Sequence, residues 1–144
     1  MSNFKYTAGL NNVGSYEVSG IPFASGSIDC RGAGGLRIVF PFVTRWVLVK
    51  NNSFVDSEDL RVGFSSNGVN AITGNNFFTL HDTTNNSQDR SSIMEPMELK
   101  ITEIWLSGSR DVDVIAGLTN IPNERIDNIS PDGLNWSGSH GGIG

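Results

Sequence analysis

Apolar and polar positions alternate with a period of two through the middle of this chain, the spacing at which a strand turns one face inward and the other outward. Leu60, Val62 and Phe64 alternate with Arg61 and Ser65, and Met97, Leu99 and Ile101 alternate with Glu98 and Lys100. Val112, Val114 and Ala116 share one face of a last strand. Arg45 to Lys50 places Trp46 and Leu48 on one face and Val47 and Val49 on the other, which predicts a central strand, with both tryptophan-bearing strands (Trp46, Trp105) contributing to the core. Leu36 to Phe40 predicts a buried strand that Pro41 ends or marks as an edge, because proline has no N–H for a ladder. Shorter strands are predicted at Tyr16 to Ser19, at Ile21 to Asp29 with a break near Gly26, and at Phe77 to His81. At Glu103 the alternation slips, and a β-bulge there restores the register of Ile104, Trp105 and Leu106.

Turn residues punctuate these runs. Asn67-Gly68 tolerates positive φ at both positions, Ser107-Gly108-Ser109 makes another turn, and Gly32-Ala33-Gly34-Gly35 reads as a hairpin turn rather than a phosphate loop, since no helix pattern follows it. No segment sustains a 3.6-residue apolar stripe. The fold class is therefore all-β: an antiparallel β-sandwich of seven to eight strands, for which jelly-roll and immunoglobulin-like topologies both fit. Residues 1–12 form an N-terminal extension, 13–119 the β-sandwich domain, and 120–144 an extended C-terminal arm. In the arm Ile121, Ile126, Ile129, Leu134, Trp136 and Ile143 are spaced too irregularly for a strand or helix, so they are expected to dock either onto a partner or back over the chain's own sandwich.

The chain's 144 residues suffice for one core without staples, and charged residues make up only 17% of it, with Asn, Ser, Thr and Gly carrying the polar surface. A net charge of −5 and the lack of a basic stripe argue against nucleic acid as a partner. The apolar stretch from Leu36 to Val49 is interrupted by Arg37 and Arg45, which argues against a membrane span. The N-terminus lacks a basic region followed by an apolar one, so synthesis and folding in the cytoplasm are expected. A lone cysteine, Cys30, excludes an intrachain disulfide and is expected to be a small buried residue.

Candidate chemistry is sparse. Asp56, Glu58 and Asp59 lack the calcium-loop spacing and read as a solvated loop. Asp82, Asp89, Asp111 and Asp113 flank turns, where only the fold can bring them together. Of the two histidines, His140 lies in a Ser/Gly-rich tail, and His81 next to Asp82 lacks a nucleophile-elbow motif. No catalytic residue, metal or cofactor is expected.

The segments Phe64-Ser65-Ser66-Asn67-Gly68-Val69-Asn70, Asn76-Phe77-Phe78-Thr79-Leu80 and Leu99-Lys100-Ile101-Thr102-Glu103-Ile104-Trp105 resemble small β-sandwich or jelly-roll structural proteins of bacteriophages and large DNA viruses. The resemblance covers residues 35 to 122 in style, without a diagnostic motif. It implies a non-enzymatic virion structural protein, made in the host cytoplasm, that decorates, cements or stabilises the capsid as a homo-oligomer bound to the major capsid protein or other virion proteins. The alternative is a receptor- or glycan-binding module of a viral tail or head fibre. A hydrolase dependent on His81 ranks third.

Overall fold

Period-two alternation becomes seven principal strands in the computed structural model, which describes Gly14, residues 20–70, 75–84 and 92–125, and the backbone of 129–130 and 133–134. The strands are β1 (Ile21–Ile28), β2 (Leu36–Val39), β3 (Phe42–Asn51), β4 (Leu60–Gly63), β5 (Phe77–Leu80), β6 (Glu103–Ser107) and β7 (Val112–Pro122). A one-turn helix, α1 (Ser66–Val69), lies between β4 and β5. All pairings are antiparallel. The first sheet has the order β1-β7-β3 and the second β2-β6-β4-β5.

The two sheets share one core. Val47 and Val49 of β3 and Val112, Val114, Ala116 and Leu118 of β7 meet Leu60 and Val62 of β4, Leu80 of β5, and Ile104 and Leu106 of β6. Each set recurs at every second residue, so one face of each strand is spent on the interior. Phe23 of β1 packs edge-to-face on Phe40, with ring centroids 5.0 Å apart. That contact fastens the edge strand to the corner between the sheets.

That corner explains two irregularities in the sequence. β2 belongs to the second sheet and β3 to the first, so the chain changes layer at Phe40-Pro41. Residues 92–102 make the reverse passage into β6. Before the corner they run along the free edge of β3: Val47 and Met97 exchange both backbone hydrogen bonds (2.9 and 2.8 Å), and Asn51 N–H donates to Ser92 (2.8 Å). Across the corner, Phe40 N–H donates to Thr102 (2.8 Å) and Thr44 N–H to Ile101 (3.0 Å). A single bent ribbon thus serves both layers. The slip at Glu103, expected as a β-bulge, is the point where the strand leaves one sheet for the other. A real bulge occurs in β1, where the register shifts between Ser25 and Ile28 and Ser27 takes φ 53°, beside the break expected at Gly26.

Other expectations need correction. β2 is an edge strand with Leu36 and Val39 exposed, and only the following Phe40 is buried. The glycine-rich segment at 32–35 joins strands of different sheets, so it is not a hairpin turn; Gly34 and Gly35 hold its positive φ values of 86° and 78°. Asn67-Gly68 lies within α1, where Ser65 Oγ caps the helix by accepting from Gly68 N–H at 2.9 Å. β7 continues to Pro122, and Ile121 is completely buried in it. β7 therefore runs three residues past 119, the expected end of the sandwich domain. Ile121 is a body residue, because Thr119 Oγ1 ties the strand to Val43 (2.8 Å) and holds the chain in the sheet. Beyond it, Ile129–Ser130 and Gly133–Leu134 pair as two short antiparallel strands, β8 and β9, where no strand was expected. The strand expected at Tyr16 to Ser19 lies outside the described residues.

Candidate interaction surfaces

The connections β1–β2, β3–β4, the stretch after β5 and β6–β7 gather at one end of the body, where backbone hydrogen bonds fasten them together. Cys30 N–H donates to Ser109 (2.9 Å) and Gly108 N–H to Cys30 (3.0 Å). Asn52 N–H donates to Asp111 (2.8 Å), and Thr83 N–H to Ser53 (2.8 Å).

Asn51, fully buried at the end of β3, is the hub. Its Nδ2 donates to the carbonyls of Glu58 (3.0 Å) and Leu80 (3.2 Å), while its Oδ1 accepts from Ser53 N–H (3.1 Å) and Ser109 Oγ (2.6 Å). All four bonding positions of the amide are filled, as burial of so polar a group requires.

Glu58 extends this network outward. Arg110 grips its carboxylate through Nε and Nη2 at 2.7–2.9 Å, and Ser53 Oγ donates to Oε2 at 2.7 Å. The Arg110 hydrogen bonds, then that of Ser53, hold the Glu58 carboxyl down at about 2. Asp29 is likewise held at about 2 by hydrogen bonds from Arg31. The acidic loop expected to be merely solvated is therefore a structural tie at Glu58. Asp113 acts similarly: its Oδ1 accepts from Ser27 N–H (3.0 Å) and its Oδ2 from Asn52 Nδ2 (2.7 Å), which pins the β1 bulge to the neighbouring loop.

His81 Nδ1 stands 3.1 Å from Asp59 Oδ1, and Asp82 N–H donates to the same oxygen at 3.2 Å. These contacts orient the imidazole from its Nδ1 side. No group of three His, Cys, Asp or Glu side chains among the described residues converges to hold a metal ion. Cys30 is buried with its thiol donating to the Ser109 carbonyl (3.1 Å), and burial raises its pKa. Such a thiol is a poor nucleophile.

The same end carries Phe54, the residue after the buried Ser53, with 74% of its surface exposed. Its place is fixed from both sides. Ser53 accepts at its carbonyl from Thr83 Oγ1 (2.8 Å) as well as Thr83 N–H, and Val55 N–H donates back to Ser53 Oγ at 3.3 Å.

A second surface is the outer face of the first sheet. Cross-strand register sets Trp46 opposite Gly117 and Gly117 opposite Pro22, then Leu48 opposite Ile115 and Ile115 opposite Ala24. Two adjacent apolar rows cross three strands there. Pro22, Ala24 and Ile115 are exposed, and Trp46 and Leu48 are half-buried. Lys50 opposite Asp113 and the Arg45–Glu98 ion pair (2.9 Å) border the rows.

The outer face of the second sheet is covered in part by the chain itself, around Val69, while Val39 and Arg37 at its edge stay exposed. Val69 of α1 is buried against it, so close that a Cβ on Gly63 would stand 2.8 Å from Val69 Cγ1 and one on Gly35 2.9 Å from Val69 Cγ2. Trp105 lies half-buried on this face and donates to Glu103 Oε2 at 3.1 Å; Arg37 pairs with the same carboxylate. The guanidinium of Arg61 sits 5.7 Å from the Phe77 ring centroid. Trp46 and Trp105, both expected in the core, thus lie on outer faces. Each stands next to an inward residue, Val47 and Ile104 respectively, and the pleat sends it to the opposite side.

Of the expected arm residues, Ile121 is in the body, Ile129 and Leu134 are backbone partners in the β8–β9 pair, and Ile126, Trp136 and Ile143 lie outside the described residues, as does His140. The exposed face of Trp46, Leu48 and Ile115 and the exposed Phe54 were missed. Apolar residues on both faces of β3 were the signal for the first; for Phe54, an isolated aromatic in an acidic loop was the only signal. Compared with protein-family models, curated proteins and solved structures, the chain matches none.

Proposed function

We propose that this chain is a non-enzymatic docking module with a jelly-roll body, and that the assembly it serves is a virion, on whose capsid surface or vertex it acts as a decoration, cement or minor capsid protein. The open apolar face of the first sheet carries the reading. A sheet face that is apolar at its centre and bordered by charges has the anatomy of a protein-binding surface, an apolar centre within a polar rim. The strand orders support the jelly roll. With residues 92–102 counted as an eighth strand beside β3, each layer holds four strands, and consecutive strands alternate between layers, except for the β4–β5 hairpin within the second sheet, in the manner of two Greek keys. The virion assignment rests on the resemblance of the sequence to viral structural proteins, an argument by analogy of fold. Seating as a symmetric homo-oligomer on a shell of major capsid protein lets several modest contacts add up through avidity.

Ile115→Glu tests the face. Ile115 is 43% exposed, so the charge leaves the body folded, with a melting temperature within a few degrees of the parent. The variant should fail to cosediment with particles that retain the unaltered chain. Equal retention of both proteins refutes docking through this face. A chain that never accompanies particles refutes the virion assignment.

A further inference from the structure

We infer that the loop end of the body is a second contact, in which Phe54 enters an apolar socket on a basic protein surface. Phe54 carries the inference. A large aromatic side chain 74% open to solvent has no role in this chain's own core. The backbone that presents it is nevertheless fixed. Ser53 before it is completely buried and bonded to Asn51, Glu58 and Thr83, and Val55 after it is tied back to Ser53. A partner that takes up this ring pays little to order the loop, which is how aromatic anchors come to dominate protein interfaces. The contact is separate from the outer face of the first sheet and stands whether or not that face seats the chain.

Charge selects the partner. Around Phe54 the gathered loops bring Asp29, Asp56, Glu58, Asp59, Asp82 and Asp111 to one end, against Arg31 and Arg110. Both arginines are already committed, to Asp29 and Glu58 respectively. Elsewhere on the described body the signs are nearly balanced, with Glu95, Glu98, Glu103, Asp113 and Glu124 against Arg37, Arg45, Lys50, Arg61, Lys100 and Arg125. The excess negative charge among the described residues therefore surrounds the exposed ring. Such a surface repels phosphate backbones and anionic lipid, and it steers toward lysine- and arginine-bearing protein.

The test uses the full chain, isotopically labelled, and three short synthetic peptides. The first has lysines flanking a leucine–tryptophan pair, the second has serines in place of the lysines, and the third has serines in place of the apolar pair. Phosphatidylcholine vesicles are a fourth probe. The first peptide should shift amide resonances at residues 52–59, 81–84 and 108–111, and its affinity should fall steadily with added salt. The other three probes should bind far more weakly. Phe54→Ser should keep the parent's melting temperature and lose affinity roughly 30-fold, the scale of a hot-spot aromatic. Equal binding by Phe54→Ser, equal binding of the serine-for-lysine peptide, a preference for vesicles, or no shifts at these loops with any peptide would each overturn the inference.

Discussion

Asn51 carries more of the architecture than any other polar residue described. It stands where β3 ends, and its amide joins β3 to the carbonyls of Glu58 and Leu80 on one side and to Ser53 and Ser109 on the other. Buried donors and acceptors left without partners are costly, more so than a hydrogen bond's net contribution suggests. Asn51→Leu should destabilise the fold by about 3 kcal/mol, since it orphans several buried groups at once. Chemical denaturation will register this as a lower midpoint at unchanged slope. A loss below half that size means that water takes over the bonds.

Glu58 gives the same end of the molecule a pH dependence with a definite sign. Its carboxyl titrates at about 2 in the fold against 4.5 ordinarily, so the folded state holds its proton less tightly than the unfolded chain does. The stabilisation is complete above pH 4.5 and is lost as pH falls toward 2. Asp29 contributes in the same sense between 3.8 and about 2. The melting temperature should thus drop over this interval, and Glu58→Gln should flatten the drop, with its deficit against the parent largest near neutral pH and shrinking in acid. A Glu58→Gln profile parallel to that of the parent throughout contradicts the assignment.

At the scale of elements, the turns decide which strands meet. The connection from β6 to β7 passes through Gly108, whose φ of 111° is unfavourable to any side chain. A Cβ there would also stand 2.5 Å from the carbonyl oxygen of Asp59, a backbone atom that cannot step aside cheaply. Gly34 has a comparable φ of 86° but faces open space. Gly108→Ala should therefore cost more than Gly34→Ala, about 3 against about 1 kcal/mol, because only the first adds overlap to strain. Parallel thermal melts of the two variants compare them directly, and similar losses would show that conformational strain alone is at stake. The Thr44 hydroxyl at the corner works to a similar end: it donates to the Leu99 carbonyl at 2.5 Å and accepts from Ile101 N–H at 3.1 Å. This hydroxyl bridges the bent ribbon where ladder pairing is interrupted.

For the whole molecule, the boundary between body and C-terminal segment is set by burial. A chain ending at Arg125 keeps all of β7 and should unfold at nearly the parent's denaturant midpoint. A chain ending at Thr119 loses Ile121, which is fully buried, and should be weaker by about 3 kcal/mol, the scale of removing a large core side chain. Equal stability of the two truncations would place Ile121 outside the cooperative core. Attachment experiments on the C-terminal segment therefore need a cut after 125; a cut at 119 would confuse loss of grip with loss of fold. Two surfaces compete to explain partner binding: a broad face around Trp46, Leu48 and Ile115, and an end surface centred on Phe54. They point in different directions and respond to different variants, Ile115→Glu and Phe54→Ser.

By itself the sequence determined the all-β class, because strict alternation at Leu60 to Phe64 and Val112 to Ala116 allows one buried face per strand and nothing else. It also determined most strand positions and the turn at Gly108, since a pleat and a positive φ leave marks within a few residues. Tertiary structure decided what depends on neighbours distant in the chain. It assigned β2 to an edge and Trp46 and Trp105 to outer faces, and it turned the slip at Glu103 into a passage between sheets. It also converted Glu58 from a loop acid into Arg110's partner, 52 residues away. Alternation says that a strand has two faces, but which one meets the core and which meets solvent or a partner is set by the layer packed against it.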